Sequence, residues 1–185
     1  NGPECGASAP DHAHFQACSK EESMQGAYYD HIKLIDNDKV QISYEDFPYS
    51  FIRIQAENKK TMSKTFHLIY DILATKDNGK EPIMNILAWY GLERTKEDFG
   101  ECYDDEFESV AEHPYNCMIF LRSKHRPDCY YAKGDEQILI SPAIAEMNGI
   151  FPIVREEDME KLTPEKVYDI YQEVSISKEK LQEII

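Results

Sequence analysis

The clearest periodicity in this chain lies near its C-terminal end, over residues 163–174. Val167, Ile170, Tyr171 and Val174 stand at i, i+3, i+4 and i+7 and share one helical face. Lys166, Asp169, Gln172 and Glu173 cover the rest. Thr163 is a good N-cap, Pro164 follows at the first helical position, and Glu165 sits where the helix dipole favours a carboxylate. Upstream the period is two. Phe51, Arg53 and Gln55 alternate with Ile52, Ile54 and Ala56. Phe66, Leu68, Tyr70 and Ile72 alternate with His67, Ile69, Asp71 and Leu73. Ile83, Asn85, Leu87 and Trp89 return against Met84, Ile86, Ala88 and Tyr90, with Asp77-Asn78-Gly79 as the turn. Residues 65–90 therefore read as a hairpin. Further strands are expected over residues 26–35, 40–44, 101–110, 115–123, 129–132, 137–141 and 150–154, with a short closing β segment at 176–185. Strands in this number, followed by one helix, predict an all-β sandwich or barrel.

The chain has 185 residues, with 42% hydrophobic and 11% aromatic positions, enough for a core. No linker divides it, so residues 1–185 are expected to form one domain, with 1–22 as an irregular arm. The 35 acidic against 20 basic residues leave a net charge of −15. That charge excludes nucleic acid and an anionic membrane surface as partners, because no counterion release would drive binding. No apolar run is long enough to insert in a membrane. The opening Asn-Gly-Pro-Glu-Cys reads as a processed N-terminus. Together with Cys5, Cys18, Cys102, Cys117 and Cys129, and no Cys-x-x-Cys pair, it favours a secreted, extracellular protein with two disulfides over a cytosolic one with thiols. Cys117 and Cys129 flank the Lys124-His125-Arg126-Pro127 turn, where a bridge across a hairpin is expected.

Three places resemble the lipocalins. Gln25-Gly26-Ala27-Tyr28-Tyr29 is similar to that family's Gly-x-Trp-Tyr opening, with Tyr28 in the place of Trp. Phe151-Pro152-Ile153-Val154-Arg155 resembles the last strand and its arginine, and Leu162-Thr163-Pro164-Glu165 with the helix after it resembles the closing helix. The Thr-Asp-Tyr motif is absent, Asp128-Cys129-Tyr130-Tyr131 being the nearest stretch. No cysteine follows position 129. These departures resemble those of the divergent arthropod salivary lipocalins. The resemblance implies an eight-stranded antiparallel up-and-down barrel with one C-terminal helix packed outside. It also implies a structural contact in which the Arg155 guanidinium lies across the Tyr28 ring.

A barrel of that size encloses one small ligand. Phe51, Tyr70, Trp89, Phe107, Phe120 and Tyr131 are the candidate lining. Asp71, inside an otherwise apolar stretch, is the candidate counter-charge for an amine, with Glu101, Asp104 and Glu108 behind it. No nucleophile elbow, phosphate loop, zinc-protease or nucleotide motif is present, so no catalytic residue is assigned and an enzyme is not expected. Asp11, His12 and His14 are read as an accidental tract rather than a metal site, and no cofactor is implied. The leading expectation is a secreted carrier of a small hydrophobic or amphipathic, lipid-like ligand. A biogenic-amine scavenger is the first alternative. A storage protein, or one acting through its surface on a host or partner protein, is the second.

Overall fold

The structure, a computed structural model, describes residues 4–7, 15–17, 32–45, 49–76, 81–91 and 113–184. Five strands, β1 (Ile32–Asp36), β2 (Val40–Glu45), β3 (Phe51–Ala56), β4 (Met84–Tyr90) and β5 (Tyr115–Leu121), form one antiparallel sheet of order β1-β2-β3-β5-β4. The sheet is open and does not close on itself, so the expected eight-stranded barrel is corrected to a helix-covered open sheet. Asn37 makes the first turn, its side-chain oxygen accepting from the Lys39 and Val40 amides at 3.0 and 3.2 Å. The expected strand at 101–110 lies outside the described residues.

The largest correction falls on residues 65–76, where a strand was expected and helix α1 (Lys59–Lys76) stands instead. Apolar residues occur here at both periods, so alternation alone misleads. Met62, Phe66, Ile69, Tyr70 and Leu73 make the helical stripe, and all five pack in the core cluster under the sheet. Asn58 starts the helix, accepting from the Thr61 amide at 2.9 Å. A helix between two strands that do not pair with each other lets β4 lie beside β5 at the sheet edge. The Asp77-Asn78-Gly79 run lies outside the described residues.

Beyond β5 the chain is helical or irregular, where three more strands were expected. It forms α2 (Asp128–Tyr131), a single 3-10 turn (Gly134–Glu136), α3 (Ile144–Met147), α4 (Glu156–Met159), α5 (Pro164–Val174) and α6 (Lys178–Ile184). Helix α5 matches its pattern closely. Thr163 is the N-cap, its side chain accepts from the Lys166 amide, and Ile170, Tyr171 and Val174 are buried. The closing segment is helix α6 rather than a strand, with Leu181 fully buried. Among the described residues, no helix is long and apolar enough to cross a membrane.

The two faces of the sheet are used differently. One carries Ile52, Ile54, Cys117, Ile119, Leu121 and Met84, covered by α1 and by Leu181 of α6. The other carries Phe51, Met118, Phe120 and Trp89, packed with Tyr49, Met147, Tyr171 and Val174. Tyr49 and Tyr171 secure that second layer, because their hydroxyls donate to the Met147 and Glu146 carbonyls. A smaller cluster of Cys129, Ile138 and Ile140 extends it onto Ile170 of α5.

Candidate functional site

Strand register places side chains in rows across the second face, because directly paired residues project the same way. One row runs over all five strands: Asp36, Gln41, Gln55, Asn116 and Trp89. The next is Arg53, Met118 and Leu87, and the third is Phe51, Phe120 and Asn85. The face is thus polar at one end and apolar at the other. The matching rows of the opposite face, such as Ile42, Ile54, Cys117 and Ala88, are uncharged throughout.

The polar end is built from planar groups held together. Arg53 donates to the Asn116 side-chain oxygen at 3.2 Å, and its guanidinium lies 5.5 Å from the Trp89 ring centre. Asn116 donates in turn to the Pro114 carbonyl at 3.1 Å. Arg53, Gln55 and Asn116 are each buried, at 3%, 3% and 2% exposure. The row reaches solvent at its other end, where Gln41 is half-buried and donates to the exposed Asp36 carboxylate at 2.6 Å. This arrangement gathers side-chain amides, one guanidinium and an indole ring within a single face.

Three of the expected ligand-lining residues meet there: Phe51, Trp89 and Phe120 belong to one buried cluster. Phe51 and Phe120 are 5.9 Å apart between ring centres. The other described residues do not join them. Tyr70 packs against the opposite face from α1, Asp71 is exposed on that helix, and Tyr131 is 61% exposed in α2. Phe107, Tyr28, Cys18, Cys102, Glu101, Asp104 and Glu108 lie outside the described residues, as do Asp11, His12 and His14. Arg155 is engaged locally, donating to both oxygens of Asp158 at 2.8 and 2.7 Å and to the Gln137 side chain at 3.2 Å. Cys5, Cys117 and Cys129 are thiols, so the expected Cys117–Cys129 bridge is not formed. Cys117 faces the α1 layer from mid-sheet, and burial pushes its thiol up to about 12.

Sequence reading missed Arg53, Gln55 and Asn116 as site residues. The signal was present: in β3 the polar residues all fall in the phase opposite Ile52, Ile54 and Ala56, which marks a face with its own chemistry. Only the pairing of β3 with β5 shows that Asn116 continues it.

A second polar cluster organises the end of the sheet next to β4. Arg122, directly after β5, is 4% exposed and uses all three guanidinium nitrogens. Its Nε donates to the Val174 carbonyl at 3.1 Å; one Nη donates to the Asn85 side chain and the Pro142 carbonyl at 2.6 and 2.7 Å. The other Nη donates to the Lys124 and His125 carbonyls at 3.2 and 3.1 Å. Burial pulls this group down to about 10, so it remains charged at neutral pH. Residues 4–7 dock on the same cluster. Asn85 donates to the Cys5 carbonyl at 2.9 Å, Ser141 to the Gly6 carbonyl at 2.8 Å and Arg126 to the Ala7 carbonyl at 3.4 Å. Gly6 has φ of 75°, and a Cβ built there would lie 1.8 Å from the Pro142 carbonyl oxygen. Only glycine fits that approach.

Residues 1–19, which include this docked segment, match a family model described as "Domain of unknown function (DUF4922)". No curated protein and no solved structure matches the chain.

Proposed function

We propose that this chain is a small-molecule-binding domain whose ligand is amphipathic and lies against the Gln55–Asn116–Trp89 face. The reading is carried by one observation, the polar row that crosses one side of the sheet while the other side is apolar. A sheet that needed only to pack would put apolar residues on both faces, because burying amide and guanidinium groups costs stability that apolar side chains do not incur. A few placed polar groups beside aromatic and aliphatic surface are the usual make-up of a small-molecule site. The ligand's hydrogen-bonding group fits the amides of Gln55 and Asn116. Its apolar part fits Trp89 and Leu87. Entry is from the Asp36–Gln41 side, where the row meets solvent. An amine scavenger has less support, since Asp71 stands exposed on α1 and the buried charge beside Trp89 is a cation.

The test is native mass spectrometry of the purified protein, before and after denaturation, with a mixture of small carboxylates, amides, sugars and purines offered to it. The wild type is expected to hold one small molecule, and Gln55→Leu and Asn116→Leu are expected to lose it while staying folded. A wild type that retains nothing and takes nothing from the mixture overturns the reading.

A further inference from the structure

The docked segment at residues 4–7 is fastened by one side chain whose hydrogen-bonding capacity depends on pH. The Gly6 amide donates to Nδ1 of His125 at 3.1 Å. Nδ1 accepts that bond only as a bare ring nitrogen; a protonated imidazolium presents N–H on both sides and accepts nothing. Three further fastenings, from Asn85, Ser141 and Arg126, donate to carbonyls of the segment, and none of them needs a bare ring nitrogen as acceptor.

We propose that His125 is a proton-operated latch on residues 4–7, closed when its ring is neutral and released when the ring is protonated.

The surrounding charges act on the ring in opposing senses. Burial holds the imidazole below its ordinary range, and Arg126 and Arg122, facing His125 from its own loop, push the same way. On the segment side, Glu4 opposes them, through a hydrogen bond from the ring to its backbone and through its carboxylate. Asn85 of β4, Ser141 and Pro142 add no charge. Glu146 of α3 acts on Arg122 rather than on the histidine. A proton on His125 would therefore remove the acceptor for Gly6 and place a third cation beside two arginines. The sign follows from the lowered pKa. Docking is at full strength above the ordinary imidazole value of about 6.5 and weakens as pH falls from there through the folded value. Residues 4–7 lie inside the stretch matched by the family model, so the latch acts on part of that stretch.

Cys5 reports the state directly, since it is 1% exposed when docked. The full chain is pulse-labelled with N-ethylmaleimide between pH 8 and pH 5. Labelling of the Cys5 and Cys117 peptides is read by mass spectrometry and normalised at each pH to the denatured chain. Cys5 protection is expected to fall about tenfold across this range, following a single protonation, while Cys117 stays protected and shows that the sheet is intact. His125→Gln, which keeps an acceptor and cannot titrate, is expected to hold Cys5 protection level. Gly6→Ala is expected to expose Cys5 at every pH. A wild-type Cys5 that stays equally protected at pH 5 overturns the latch, and so does a His125→Gln variant with the same pH-dependent loss. A fall in Cys117 protection parallel to that of Cys5 also overturns it, because the event would then be unfolding. None of these outcomes depends on ligand binding at the Gln55–Asn116 face.

Discussion

Asp158 and Arg155 form the best-defined charged pair in the described residues, and they carry a prediction of their own. Asp158 is 2% exposed, takes a two-pronged contact from Arg155, and accepts from the Leu139 amide at 3.0 Å. The hydrogen bonds from Arg155 hold its carboxyl below the usual aspartate range. A depressed carboxyl pKa adds stability that is complete above the unfolded value, about 3.9, and is lost as pH falls through the lower folded value. Asp158→Asn should therefore lower stability by about 2–3 kcal/mol at pH 7, read from the urea midpoint. The gap between wild type and variant should narrow below about pH 4. A gap that stays constant from pH 7 to pH 3 would show that the carboxylate charge is not what holds residues 137–139 to α4. The expected contact of Arg155 with Tyr28 involves a residue outside the described ones; the Arg155 donors go to a carboxylate three residues away, with charge-assisted bonds.

At the scale of elements, α5 is the part that should answer most simply to mutation. Its N-cap, Thr163, accepts from the Lys166 amide at 3.3 Å. Thr163→Ala should cost about 1 kcal/mol, measured by thermal or urea unfolding. A variant indistinguishable from wild type would mean that packing of Ile170, Tyr171 and Val174 alone secures the helix. This helix was legible in the sequence because cap, first-turn proline and apolar stripe all agree. Strands β2, β3, β4 and β5 were legible for a similar reason, being short alternating runs bounded by turn residues. Helix α1 was not. Phe66, Leu68, Ile69, Tyr70, Ile72 and Leu73 satisfy a period of two and a period of 3.6 together, and only packing against the sheet selects the second. Residues 129–132 and 137–141 were misread because their apolar content is set by contact with Ile170 rather than by a strand ladder. The polar row was half legible: Arg53 and Gln55 share a phase in β3, but their alignment with Gln41, Asn116 and Trp89 depends on long-range pairing that no local pattern encodes.

For the whole molecule, the open sheet divides the work between its faces. The face under α1 and α6 is a core, and burial of its aliphatic side chains supplies stability at roughly 1.5–3 kcal/mol for each fully buried residue. The opposite face is anchored at its apolar end by Tyr49, Met147, Tyr171 and Val174, and the row from Asp36 to Trp89 is the recognition surface proposed above. The order β1-β2-β3-β5-β4 puts Trp89 on an edge strand at one end of that row, beside the amides that would meet a ligand. Trp89 is also the one tryptophan in the chain, so the protein's indole fluorescence reports this face alone. The most direct test of the binding account is therefore a fluorescence titration of the unliganded protein, using the small molecule recovered from it or captured from the mixture in the native mass-spectrometry experiment. The account predicts a saturable change in Trp89 emission with one molecule bound per chain, weakened at least tenfold in Asn116→Leu. Saturable binding that leaves Trp89 emission unchanged and is indifferent to Asn116→Leu would contradict it.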